Sequence, residues 1–290
     1  MKNGTNKIVV AIDFSECSIN AFLHSLAIAE RSKSELILVW VEKTGNEAEK
    51  NVDKHIDHAK DAKAAFEILI SKYQRRHPWT KISWKIRKGK IYKEITDEAK
   101  SAKAMMIITG TKGAAGFEEF WKGSNATKII SASTCPVITI WGGIDTTRPL
   151  KKIVLPIDSA GETRQKAPFT AEFAKWHRAE IYILKMYTSK LKTMRQTVDF
   201  YAAQVAAYFD SEKVKYHLNQ VVCENISEAT IDYATEVDAN LIAIMTEQET
   251  TTANLILGPY AQQLVNHSKV PVLSIHPKDS IASQTTWKTF

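Results

Sequence analysis

Lys7-Ile8-Val9-Val10-Ala11-Ile12-Asp13 and Lys152-Ile153-Val154-Leu155-Pro156-Ile157-Asp158 are one pattern written twice, 145 residues apart. Each is a short apolar run closed by an aspartate. A run without alternation is the mark of a strand covered on both faces, as in a buried parallel sheet. The offset persists, with Ala29 meeting Ala174 and Glu35-Leu36-Ile37-Leu38 meeting Glu180-Ile181-Tyr182-Ile183. Farther along it becomes 135, with Ile91 on Ile226, Ala99 on Ala234, Gly123 on Gly258, and Cys135-Pro136-Val137 on Val270-Pro271-Val272. A shorter middle segment in the second copy accounts for the change. The chain is therefore a duplicated unit. The boundary falls near Gly142–Leu150, where Gly, Asp, Thr, Arg and Pro gather. The expected domains are 1–145 and 146–279, with a tail at 280–290.

Within each unit, strand signals alternate with helix signals. Ser15 offers an N-cap, after which Ile19, Phe22, Leu23 and Leu26 recur at helical spacing. Leu36–Val41 reads as a second buried strand. Val52, Ile56, Ala59, Phe66, Ile70 and Tyr73 mark a long amphipathic helix. Ile82, Trp84 and Ile86 alternate with polar residues, as in a half-covered strand. A helix over Ile91–Ala102, a strand over Met105–Thr109, a helix over Ser124–Ser133 stopped by Pro136, and a strand over Val137–Trp141 complete the unit. Such alternation predicts an α/β fold, two tandem five-stranded parallel sheets of open Rossmann-like type with helices on both faces. Sheets of this kind bind ligands beyond the carboxyl ends of their strands. Two places follow, the turn holding Asp13 and the loop Gly110–Gly123.

The 290 residues, 44% hydrophobic and 24% charged, suit two domains large enough to bury cores without disulfides or metals. No apolar run approaches the ~20 residues of a membrane span. The first residues carry no apolar signal-peptide core, and Cys17, Cys135 and Cys223 are odd in number and widely spaced. Both features predict a cytoplasmic protein with reduced, packed thiols and no association with membranes. The net charge of +7 is uneven, since Lys72–Lys103 holds eleven basic and three acidic side chains. Without a recognised reader motif this stretch reads as solvated helix ends and a lysine-protected edge strand, so nucleic acid is not the expected partner. His55, Asp57, His58 and Asp61 could group on one helix, but no third strong ligand from another element joins them, and no metal site is assigned.

The loop after the fourth strand carries the chemistry. Gly110 and Gly113 leave the strand, where glycine permits positive φ and close approach of a ligand. Gly123-Ser124 opens the next helix, whose first N–H groups lack intrahelical partners. Those donors, the Ser124 hydroxyl and Lys112 form a phosphate cradle without a catalytic side chain. Neither a G-x-x-x-x-G-K-[ST] loop nor a G-x-G-x-x-G after the first strand is present, which excludes P-loop and dinucleotide-binding readings.

These residues resemble the universal stress protein family. G-x2-G-x9-G-[ST], here Gly110, Gly113, Gly123 and Ser124, followed by a helix and Cys135-Pro136-Val137, is the family's nucleotide-loop pattern. The opening Ile8–Ser15 is similar to its first strand and turn, and the resemblance runs through the chain twice. It implies a non-covalently held adenine nucleotide, ATP accompanied by Mg²⁺ being one form. Asp13 would lie beside ribose and adenine, and Val41 would meet adenine through its backbone. Gly110, Gly113, Gly123, Ser124 and Asn125 would line phosphates and ribose. The family usually has a small apolar residue where Asn125 stands. It also implies pairing through last strands, which a tandem chain would achieve internally as a pseudo-dimer, Val137–Trp141 against Val272–His276. A further homodimer stays open.

The second copy predicts loss. Gly110 maps to Met245, Gly113 to Gln248, Gly123 to Gly258 and Ser124 to Pro259. Side chains replace bare backbone, and proline removes an N–H and a hydroxyl, though helices tolerate it in the first turn. One nucleotide site per chain is expected, in the first half. Three functions compete. The first is a stress-response protein that senses or signals by binding nucleotide and a protein partner. The second is a nucleotide-independent scaffold, and the third a slow ATPase or phosphotransferase. The loop offers donors and no positioned general base, which favours binding over catalysis.

Overall fold

Ile8, Val9 and Val10 have no exposed surface, nor do Leu36, Leu38 and Met106–Ile108. Helices lie on both sides of them. The computed structural model describes residues 6–43, 58–111, 125–145, 148–246, 248–251 and 254–277, and the chain divides into two units, Met1–Thr146 and Thr147–Phe290. Among the described residues no helix is long and apolar enough to cross a membrane.

The first unit runs β1 (Asn6–Ala11), α1 (Glu16–Ser32), β2 (Ser34–Lys43), α2 (His58–Gln74) and β3 (Ile82–Gly89). It continues through α3 (Ile91–Ala102), β4 (Met106–Gly110), α4 (Asn125–Ala132) and β5 (Val137–Ile140). The strands lie in the order β3-β2-β1-β4-β5 and pair in parallel. The sequence-based elements fall within a residue or two of these. Val52 and Ile56, assigned to the long helix, lie outside the described residues.

Each boundary has a local cause. Ser15 caps α1, its hydroxyl accepting from the Ser18 N–H at 3.3 Å. Lys33 ends the helix in the left-handed region at φ 53°, its N–H returning to the Ala29 carbonyl. Alternation on β3 separates the two faces. Trp84 stacks on Phe66 of α2 with ring centroids 5.4 Å apart, while Lys85 reaches Glu98 of α3 at 2.7 Å. On the α2 face, α1 lies beside α2, with Phe22 and Tyr73 meeting edge to face at 5.4 Å. On the other, α3 lies against α4.

The second unit is built the same way. Its elements are β6 (Lys152–Ile157), a 3₁₀ turn (Gly161–Arg164), α5 (Ala167–His177), β7 (Glu180–Tyr187), α6 (Lys192–Ser211), β8 (Tyr216–Val222) and α7 (Ile226–Glu236). After β9 (Leu241–Met245) come β10 (Gln248–Thr251), β11 (Asn254–Leu257), α8 (Pro259–His267) and β12 (Val272–Ile275). The parallel order is β8-β7-β6-β9-β12.

Two departures from the first unit stand out. The first helix begins late, at Ala167, because a 3₁₀ turn takes its opening residues and Pro168, which cannot donate, sits at the start of α5. Where sequence comparison places the counterpart of the glycine loop, β10 and β11 pair as an antiparallel hairpin, Gln248 opposite Leu257 and Thr251 opposite Asn254. The simple reproduction of element order predicted from the repeat is corrected here.

Candidate functional site

In the first unit β1 leads to β2 on one side, while β4 leads to β5 on the other. Neighbouring strands β1 and β4 thus mark the point where chain order reverses, and a crevice opens at their carboxyl ends. Asp13 follows β1 and Gly110 ends β4, so topology brings these two predicted residues together. Val41 lies near the end of β2, buried, opposite Arg87 of β3. Asn125 is the exposed first residue of α4. Lys112, Gly113, Gly123 and Ser124 lie outside the described residues.

Asp13 is held by its own turn. Its Oδ1 accepts from the Ser15 N–H at 3.0 Å and the Ser15 hydroxyl at 2.5 Å, and its own N–H donates to the Ser18 hydroxyl at 3.3 Å. Phe14 between them takes φ 62°, the left-handed region. The carboxylate is thereby fixed in the turn between β1 and α1. The second unit repeats the device. The Asp158 N–H donates to the Thr163 hydroxyl at 3.3 Å, and Asp158 Oδ1 accepts from the Ala160 N–H at 2.9 Å. Sequence reading found Asp13 and Ser15 but missed Ser18. The signal was available, since a hydroxyl stands five residues after the aspartate in both copies.

Gly110 is explained differently from the sequence reading. Positive φ is recorded for Gly89 and Gly143 but not for Gly110. A Cβ there would lie 2.9 Å from the carbonyl carbon of Cys17 and 3.0 Å from its oxygen. The missing side chain lets the first turn of α1 close onto β4, which sets the floor of the crevice. Cys17 is buried in this contact, between Gly110 and Gly142.

In the second unit the corresponding ground is filled. Met245 ends β9 where Gly110 ends β4, and Pro259 opens α8 after Gly258, with no side-chain cap. The hairpin spends its backbone groups on a ladder. In the same unit, the cleft at the end of β7 is lined by Ser159, Met186, Tyr187, Ser189, Met194 and Arg195 and has no room for a water molecule. Tyr187 donates to Asp199 at 2.6 Å, and the Arg195 guanidinium lies 5.5 Å from the Tyr187 ring while its Nε donates to the Ser189 carbonyl. Met186 is the counterpart of Val41.

A buried cation underlies this end of the sheet. Lys166, at the position of Ala21 in the first unit, is 2% exposed, and its ammonium donates to the Thr163 carbonyl at 2.6 Å and hydroxyl at 3.1 Å. Burial lowers its pKa to about 8, with Asp158 nearby working against the shift. Lys166 thus ties down the 3₁₀ turn that replaces the start of the helix. Of the other chemistry considered, Cys135 and Cys223 are free thiols pushed up by burial, the former also hydrogen-bonded to Ser133. His55 and Asp57 lie outside the described residues.

Comparison with known proteins follows the same division. The model of the universal stress protein family matches residues 4–140 and again 149–276. A universal stress protein of Methanocaldococcus jannaschii is 29% identical over 148 residues, covering 48% of this chain and 86% of its own length. Another from Bacillus subtilis is 24% identical over 157 residues, covering 47% and 98%. A solved universal stress protein from Archaeoglobus fulgidus superposes with a TM-score of 0.73 at 18% identity, over 94% of this chain and 97% of that one. One from Pseudomonas aeruginosa gives 0.66 at 17% identity, over 99% and 98%. The last two show the fold.

Proposed function

The chain belongs to the universal stress protein family, and we propose that its first unit binds one adenine nucleotide, ATP with Mg²⁺ being the form to test. The second unit has given up that site. The observation that carries this reading is the switch point of the first sheet. Asp13 is anchored there by Ser15 and Ser18, Gly110 allows α1 to close onto β4, and the chain enters a G-x2-G-x9-G-S segment from that place. The same place in the second unit holds Met245 and a β-hairpin.

Adenine would meet the backbone at Val41 and ribose would lie by Asp13. The phosphates would rest on the N–H groups of Gly113, Gly123, Ser124 and Asn125, with Lys112 adding charge. Such a cradle supplies donors to a ground-state anion, which is equipment for binding. The protein would act in the cytoplasm by sensing or signalling, nucleotide favouring one partner-competent surface.

The test is calorimetric titration of ATP with Mg²⁺ into the wild type and into Gly113→Gln/Ser124→Pro, which writes the second loop into the first. Stoichiometry near one, with affinity reduced at least about 100-fold in the variant, is expected, because two or three charge-assisted hydrogen bonds of ~1.5–3 kcal/mol each are removed. The absence of both heat and thermal stabilisation at millimolar ATP would overturn the reading, and so would a second equivalent bound with comparable affinity.

A further inference from the structure

The edge strands β3 and β8 occupy the same place in their units, but β3 is basic, whereas β8 has no Lys, Arg, Asp or Glu and lies beside an acidic α7. On β3, Lys85 at 2.7 Å and Arg87 both donate to Glu98, whose side chain is fully buried under α3. Strand register places Asn219 and Val221 at the positions of Lys85 and Arg87, since Val39 faces Lys85 and its counterpart Leu184 faces Asn219. Tyr233 stands for Glu98, and Asn219 donates to its hydroxyl at 2.5 Å. The smaller groups leave an open groove of about 540 Å³ between β8 and α7.

Glu224, Glu228, Asp232 and Glu236 line that groove. The last three recur every four residues, one above another along α7 at steps of about 6 Å. Among the described residues none of the four joins an ion pair. No Lys or Arg occurs in the sequence between Lys215 and Lys269. The strand itself is uncovered, with Leu218 50% and Val222 66% exposed, whereas β3 is half covered by its helices. In the first unit the corresponding rim carries Lys81, Lys88, Lys90 and Lys93, all exposed, with Lys81 and Lys88 paired to Glu35 and Glu42, and Asp97 is its exposed acidic residue.

We propose that the acidic β8–α7 groove receives the basic β3–α3 edge of a second copy of this chain. Among the described residues both strands are hydrogen-bonded to one neighbouring strand only, β3 to β2 and β8 to β7, so each presents backbone groups for pairing. Charge selects the match. Pairing two β3–α3 edges sets cations against cations, and pairing two β8–α7 edges sets the α7 carboxylates against one another. Only the β3–α3 edge with the β8–α7 edge is complementary. Because the units share one topology, turning a copy about the sheet normal brings β3 antiparallel to β8 with α3 on the same face as α7. Lys90 and Lys93 then approach Asp232 and Glu236, and Lys81 approaches Glu224. The contact joins unlike surfaces, so it propagates into rings or chains of copies.

Analytical ultracentrifugation of the full chain tests this at low salt and at about 0.5 M, where charges are screened within a few ångströms. Self-association at low salt, weakened at least about tenfold at high salt, is expected. Glu228→Lys/Asp232→Lys and Lys90→Glu/Lys93→Glu, both at exposed positions, should each lose association while keeping the wild-type circular dichroism. An equimolar mixture of the two should regain it, since each supplies the edge the other lacks. The proposal is overturned if the wild type is monomeric throughout, if its assembly ignores salt and charge reversal, or if the mixed variants stay apart. A monomer whose groove instead takes up a lysine-rich peptide would assign the surface to a foreign basic partner.

Discussion

After β4 the chain passes through Gly110 and Thr111 into a segment with three more glycines. After β9, at the same place in the second unit, it doubles back as a hairpin rich in threonine. The sheets beneath are equivalent, so the fold tolerates either ending. What differs is where the backbone donors go. In the hairpin they are spent on each other, Gln248 with Leu257 and Glu249 with Ile256. The first unit has instead a glycine-rich sequence leading to a helix start, the segment proposed above to offer its donors to an anion. The cleft at the end of β7 is closed as well, with Met194 and Arg195 of α6 in its lining. On the proposed function, a unit relieved of holding an anion can fill this ground with side chains at no cost to its core.

The largest contrast between the units lies at their edges. Burial alone would push the Glu98 carboxyl up, but hydrogen bonds from Arg87 and Lys85 outweigh it and hold the group below the usual carboxylate range. Replacing both cations, Lys85→Met/Arg87→Met, leaves a buried carboxylate without a partner and should cost the first unit about 3–5 kcal/mol. In the second unit Asn219→Leu, beside the half-exposed Tyr233 at an open groove, should cost under about 1 kcal/mol. Denaturant unfolding followed by hydrogen exchange at Ile8–Val10 and Ile153–Leu155 reads the units separately. Equal losses would show that the paired edge contributes nothing special.

The units should also answer pH in the same direction but in different windows. His24 is buried on α1, and burial lowers its pKa from 6.5 to about 4, with Asp145 partly offsetting the shift. The native state therefore holds it neutral while the unfolded chain takes up a proton. Stability is complete above pH 6.5 and falls by about 3 kcal/mol as pH drops to about 4. Phe169 occupies the counterpart position. His24→Phe should accordingly abolish this acid step in the first unit, leaving only the carboxylate losses at lower pH. Lys166 has the same sign at higher pH. Its folded pKa of about 8 lies below the ordinary 10.5, so the second unit gains stability as pH rises between those values. A first unit that keeps its stability to pH 4 would mean His24 is hydrated in solution.

Most of this architecture was legible in the apolar runs. Ile8–Val10 and Ile153–Leu155 announce buried parallel strands because neither shows alternation. The late start of α5 was written in Pro168, but only the structure shows Lys166 bent back onto Thr163. The hairpin was half visible. Thr250, Thr251 and Thr252 are β-branched and favour strands, yet alignment to a glycine loop drew attention to what was lost and away from what was gained. The acidic spacing on α7 could be read directly. That it faces an open groove depends on strand register, which no local pattern reports.

Gly110 marks the limit of such reading and offers the most local test. Its contact is with Cys17, remote in sequence, so the need for glycine cannot be seen in the strand itself. A methionine there, as in the second unit, would bring Cβ to 2.9–3.0 Å from backbone atoms of α1, which cannot swing aside as a side-chain end can. The helix must retreat, and Gly110→Met should cost the first unit about 1–3 kcal/mol. Gly142→Ala is the control, because its Cβ would meet only the Cys17 sulfur, which can rotate away. That change should stay within about 0.5 kcal/mol. Hydrogen exchange supplies the decisive pattern. If Gly110 is bare to admit α1, protection should be lost around Cys17–Phe22 first, so that the first unit acquires the late helix start that the second already has. Loss spread evenly over β4 and β5 would mean that methionine disturbs the sheet instead, and the late start of α5 would then need no reference to Met245.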